Sequence, residues 1–157
     1  MARSKVLNES SGHHNADYRQ IIKVEDSTND RALLAQNSGA LVILRATGGA
    51  ADIQLPAASG NEGVWYEFVI NEALDGKITI EAKDGTDFFV GEVSDVETAT
   101  PSNVAFNGSS HDELEVASGA AIGHVHLVIT SDGDNWVVWG QAHDVSDVAA
   151  AASSGNA

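Results

Sequence analysis

Residues 122–140, IGHVHLVITSDGDNWVVWG, limit the folds open to this chain more than any other stretch. His124 to Thr130 is rich in β-branched residues and reads as a strand. Ser131-Asp132-Gly133-Asp134 then supplies Asp-Gly, a pair suited to the positive φ angles of a two-residue hairpin turn. Trp136-Val137-Val138-Trp139 returns as the second strand, and both indoles are expected on one face. A hairpin this apolar needs a second layer to cover it in water, so the remainder of the chain is expected to provide one.

The rest of the chain follows the same grammar. Strand candidates are Tyr18–Val24, Ala40–Arg45, Asp52–Leu55, Val64–Ile70, Lys77–Ala82, Phe88–Val90, Val104–Phe106 and Leu114–Ala117. Ala40–Arg45 is apolar at consecutive positions and is expected to be buried on both faces. In Lys77–Ala82 the alternation places Ile78 and Ile80 inward and Lys77, Thr79 and Glu81 outward. Arg31–Gln36 fits one helical turn or a strand equally well. Asp75-Gly76 and Asp84-Gly85 are further turn signals. Short strands about ten residues apart, without an amphipathic helix, predict an all-β fold, a small antiparallel β-sandwich or barrel. The expected organisation is an extended N-terminal arm over residues 1–20, a body over 21–142 and a flexible C-terminal tail over 143–157.

Charge is unevenly placed. Residues 1–45 hold six of the eight basic residues and balance at +1, whereas residues 46–157 balance at −16. So acidic a body repels nucleic acid and anionic lipid, which predicts neither as a partner. The chain has no cysteine, which excludes disulfide and thiol chemistry. The start of the sequence lacks an apolar segment behind its basic residues, and no run is long enough for a membrane helix, so neither a secretory signal nor a span is expected.

No motif for catalysis emerges, and no cofactor is expected. His124 and His126, two apart on a strand, share a face and could present two imidazoles to a metal, with Asp112, Glu113 or His143 as a third ligand; the alternative is a pair of ordinary strand histidines. His13 and His14 are adjacent and point apart. Asp132-Gly133-Asp134-Asn135 resembles the start of a calcium loop, but position twelve is His143 rather than a bidentate Glu, and the hairpin turn accounts for these residues. Trp65, Tyr66, Trp136 and Trp139 are candidates for core or inter-subunit packing, or for a sugar platform. No G-x-S-x-G or comparable nucleophile signature is present.

Several segments in order carry a resemblance. They are Ala40-Leu41-Val42-Ile43-Leu44, Ile53-Gln54-Leu55-Pro56-Ala57-Ala58, Trp65-Tyr66-Glu67-Phe68-Val69-Ile70, Lys77-Ile78-Thr79-Ile80-Glu81-Ala82, and Ser131-Asp132-Gly133-Asp134-Asn135-Trp136-Val137-Val138-Trp139-Gly140. Over about residues 40–140 this order resembles the head decoration, or capsid cement, proteins of tailed bacteriophages. The resemblance implies a non-enzymatic virion protein on the outer surface of the capsid head, a homotrimer that clamps neighbouring major capsid protein subunits. Arg3, Lys5, Arg19 and Lys23 would then be capsid contacts of the arm, and the acidic body would face solvent. The alternative is a trimeric phage fibre domain that binds a host-surface glycan.

Overall fold

Short β-branched runs punctuated by glycine, asparagine and aspartate become strands wherever one face of the run can be buried. The computed structural model describes residues 19–25, 30–45, 48–83, 86–96 and 102–152. Among these residues the strands are β1 (Ile21–Val24), β2 (Arg31–Ala32), β3 (Leu41–Leu44), β4 (Ala51–Gln54), β5 (Trp65–Ile70), β6 (Ile78–Glu81), β7 (Phe89–Asp95), β8 (Asn103–Asn107), β9 (Glu113–Val116), β10 (Val125–Ser131), β11 (Trp136–Ala142) and β12 (Val148–Ala151). The fold is all-β. A seven-stranded sheet ordered β1-β3-β5-β10-β11-β7-β8 packs on a five-stranded sheet ordered β12-β9-β6-β4-β2.

The expected antiparallel pairing is only part of the arrangement. From β1 to β7 successive strands alternate between the two sheets. Strands two apart in sequence therefore become neighbours running the same way: β1 with β3, β3 with β5, β2 with β4 and β4 with β6 are all parallel. A parallel pair needs a long crossover, and here the crossover is itself a strand of the opposite layer. The sequence around Asp75-Gly76 is thus a crossing between layers rather than a hairpin. Asp84-Gly85 lies outside the described residues.

The hairpin of β10 and β11 lies near the middle of the larger sheet, between β5 and β7. Its loop holds four residues, Asp132–Asn135, rather than two, because Ser131 pairs with Trp136. The Asp132 carboxylate accepts hydrogen bonds from the N–H groups of Asp134 (2.9 Å) and Asn135 (2.6 Å), and Gly133 takes a φ of 100°. Those N–H groups hold the Asp132 carboxyl below the usual carboxylate range.

The core lies between the sheets. Val42, Leu44, Tyr66, Phe68, Leu127, Ile129, Trp136, Val138 and Phe89 face it from the larger sheet, and Ile53, Ile78, Ile80, Leu114, Val116 and Val148 from the smaller. Each large aliphatic or aromatic side chain so buried contributes about 1.5–3 kcal/mol before entropy is counted. Three expectations need correction. The two indoles do not share a face: residues three apart on a strand point oppositely, so Trp136 is buried and Trp139 is 48% exposed. In β3 only Val42 and Leu44 are buried, while Leu41 and Ile43 are half-buried on the outer face. The segment from 143 is not a tail throughout, since Val145–Asp147 form a 3-10 turn and β12 pairs antiparallel with β9 along the edge of the smaller sheet. Arg31–Gln36 contributes both the short strand β2 and the start of a 3-10 turn at Ala35–Asn37.

Candidate functional site

The two outer faces of the sandwich differ chemically, and the register shows how. On the larger sheet one row runs Ile21, Leu41, Glu67, Val128, Trp139, Glu92, Ala105. The next runs Lys23, Ile43, Val69, His126, Gln141, Ser94, Asn103. A third holds Trp65, Thr130, Val137, Val90 and Asn107. Apolar residues thus outnumber charged ones on a face turned to water, with Ile21 58% and Trp65 37% exposed beside Trp139. Exposed apolar groups gathered on one sheet face mark an interaction surface more often than scattered ones do. The other large exposed apolar residues among the described residues, Leu34, Val96 and Ile122, lie in connections between strands.

A chain of polar contacts crosses this face. The Arg19 guanidinium lies 5.1 Å from the Trp65 ring centroid, and its Nε donates to the Gly39 carbonyl at 2.8 Å. Arg19 also forms an ion pair with Glu67, whose other oxygen lies 2.6 Å from His126 Nε2. Burial pushes the Glu67 carboxyl up, but Arg19 and His126 together outweigh it and hold it below the usual range. Between β10, β11 and β7 an open groove of about 330 Å³ is lined by Glu92, Ser94, His126, Val128, Trp139, Gly140 and Gln141.

The smaller sheet presents the opposite chemistry. Glu81 of β6 pairs directly with Glu113 of β9, and Asp52, Thr79 and Glu115 form the adjoining row. Burial and the neighbouring charges of Asp52 and Glu113 push the Glu81 carboxyl up. Burial and Asp112 do the same to Glu113. Lys77 forms an ion pair with Glu115 within this group.

The residues singled out in the sequence separate accordingly. Trp65 and Trp139 are outer-face residues, whereas Tyr66 and Trp136 belong to the core with ring centroids 6.0 Å apart. Arg19 and Lys23 flank Ile21 on the exposed side of β1; Arg3, Lys5, His13 and His14 lie outside the described residues. His124 and His126 do not act as a pair. His124 precedes β10, stacks on His143 at 4.2 Å and lies 3.2 Å from Asp147, while His126 turns to Glu67. Among the described residues no three His, Asp or Glu side chains converge as metal ligands, and no helix is long and apolar enough to cross a membrane. The sequence reading missed Glu67, Glu92, Ser94 and Gln141. Gln141 was legible, since it is two residues beyond Trp139 and shares its face; Glu92 and Ser94 arrive through the parallel β7–β11 pairing, which leaves no local signal. No family model, no curated protein and no solved structure matches the chain significantly.

Proposed function

We propose that this protein is a non-enzymatic virion structural protein that decorates the outer surface of a tailed-phage capsid and reinforces contacts between major capsid protein subunits. One observation carries the reading: the apolar outer face of the larger sheet, with Ile21, Leu41, Ile43 and Val69 clustered near Arg19 and Lys23, stands opposite an acidic face. A surface of that kind suits a molecule that lies on another protein with one side and meets water with the other. The resemblance noted in the sequence adds the location on the head and the homotrimer. Binding that selects the assembled lattice stabilises it by mass action, and many weak contacts on a rigid lattice sum to a strong one.

Immunogold labelling of intact virions with an antibody against this chain tests the proposal. Label distributed over the head is expected; absence of label from heads overturns it. A fibre domain binding a host-surface glycan is the second reading, favoured by the exposed indole of Trp139 beside an open groove, and it requires label on the tail or fibres.

A further inference from the structure

We infer that the groove between β10, β11 and β7 is a binding site for a neutral oligosaccharide, with Trp139 as its stacking platform. The inference is independent of where the protein sits on a virion. A pyranose ring has an apolar face of C–H groups and a rim of hydroxyls. The site must therefore offer a flat aromatic surface beside groups that both donate and accept hydrogen bonds. Trp139 supplies the indole at a position where half of the side chain is open to solvent. Register places the partners around it: Val128 directly across on β10, Glu92 directly across on β7, and Gln141, His126 and Ser94 in the adjoining row. An amide, a carboxylate, a hydroxyl and an imidazole thus surround one indole, all on regular strands rather than on loops, which gives them fixed spacing.

Two of these groups are held in place by their neighbours. His126 is oriented by Glu67, itself held by Arg19, and the Glu92 carboxylate accepts from the Asn103 side-chain amide at 3.1 Å. The volume of about 330 Å³ lies at the small end of ligand sites, suited to one or two sugar rings, and its open form leaves room for a longer chain to continue. Charge selects the class of sugar. Glu92 lies in the groove and the chain carries −15 overall, so sialylated, sulfated or uronic glycans are repelled. The position also leaves the β1–β3–β5 part of the face, with Ile21 and Lys23, to a protein partner.

A titration of the full chain with neutral and anionic oligosaccharides, followed by tryptophan emission and calorimetry, tests this. Weak binding of neutral sugars, with Kd on the order of 1 mM or tighter, is expected. Trp139→Ala is expected to weaken it at least about tenfold, and Gln141→Ala and Glu92→Gln to weaken it less, with the unfolding midpoint of each variant recorded to show that it folds. Ile21→Asp combined with Lys23→Glu should leave sugar binding unchanged while abolishing attachment to heads, so failure of one reading is told apart from failure of the other. Binding by no neutral sugar, binding of anionic sugars alone, or binding unaffected by Trp139→Ala overturns the inference.

Discussion

Single residues set tolerances here that the strand pattern does not show. Gly91 and Gly140 sit where neighbouring backbone leaves no space for a side chain: a Cβ on Gly91 would lie 2.1 Å from the Val138 carbonyl oxygen, and one on Gly140 2.2 Å from that of His126. Gly91 also has a φ of 124°, which L side chains rarely adopt. Because those atoms are backbone in the central strands, they cannot move aside cheaply. Gly91→Ala is expected to cost at least about 3 kcal/mol, seen as a lowered urea midpoint at unchanged slope. Tyr66 offers a second case. Its hydroxyl donates to the Leu34 carbonyl at 2.9 Å, and burial pushes the phenol up to about 12. The native state therefore keeps this proton where the unfolded chain has lost it, so stability falls as pH rises from the ordinary tyrosine value toward about 12. Tyr66→Phe should cost about 1–2 kcal/mol at neutral pH and remove this alkaline component, measured by unfolding across that range.

Among the strands, the least comfortable pairing is Glu81 on β6 against Glu113 on β9. Like charges directly opposite in an antiparallel pair destabilise it. Both carboxyls are raised, so the folded state binds protons more readily than the unfolded chain; stability is greatest below the ordinary carboxylate value and declines as pH rises past it. Glu81→Gln should raise the stability at neutral pH by about 0.2–1 kcal/mol, with the gain vanishing under acid conditions, as thermal melts at several pH values would show. The terminal strand β12 gives a test at the same level. Val148 is buried, and the strand covers one edge of the smaller sheet. Truncation before Val145 would leave the β9 edge open and the core beside Val116 uncovered, so a truncated chain should lose at least about 2 kcal/mol and gain a tendency to associate through that edge. An unchanged melting temperature would show that β12 adds nothing to the fold.

For the whole molecule, the separation of an apolar face near Arg19 and Lys23 from an acidic face predicts oriented attachment. Under the proposed capsid role, removing residues 1–18 should leave the unfolding free energy of the sandwich within about 0.5 kcal/mol of the full chain yet weaken attachment to heads, measured by cosedimentation with decorated and stripped particles. Undiminished attachment would rule out the first 18 residues as a contact. The sequence by itself determined the all-β class, the placement of most strands, and the burial of Ile78 and Ile80, because a period of two is a local property that six residues can display, although Thr79, expected outward, is buried as well. Tertiary structure alone decided which strands are neighbours. A turn signal such as Asp75-Gly76 reports that the chain changes direction, but not whether the next strand bonds in the same sheet or crosses to the other, since both choices bury the same apolar face. That choice made the sheets mixed and brought Glu92 and Ser94 beside Trp139. It also brought Arg19 and His126, far apart in the chain, to Trp65 and Glu67, which share one face of β5; that meeting rests on packing between strands and not on any pattern along one of them.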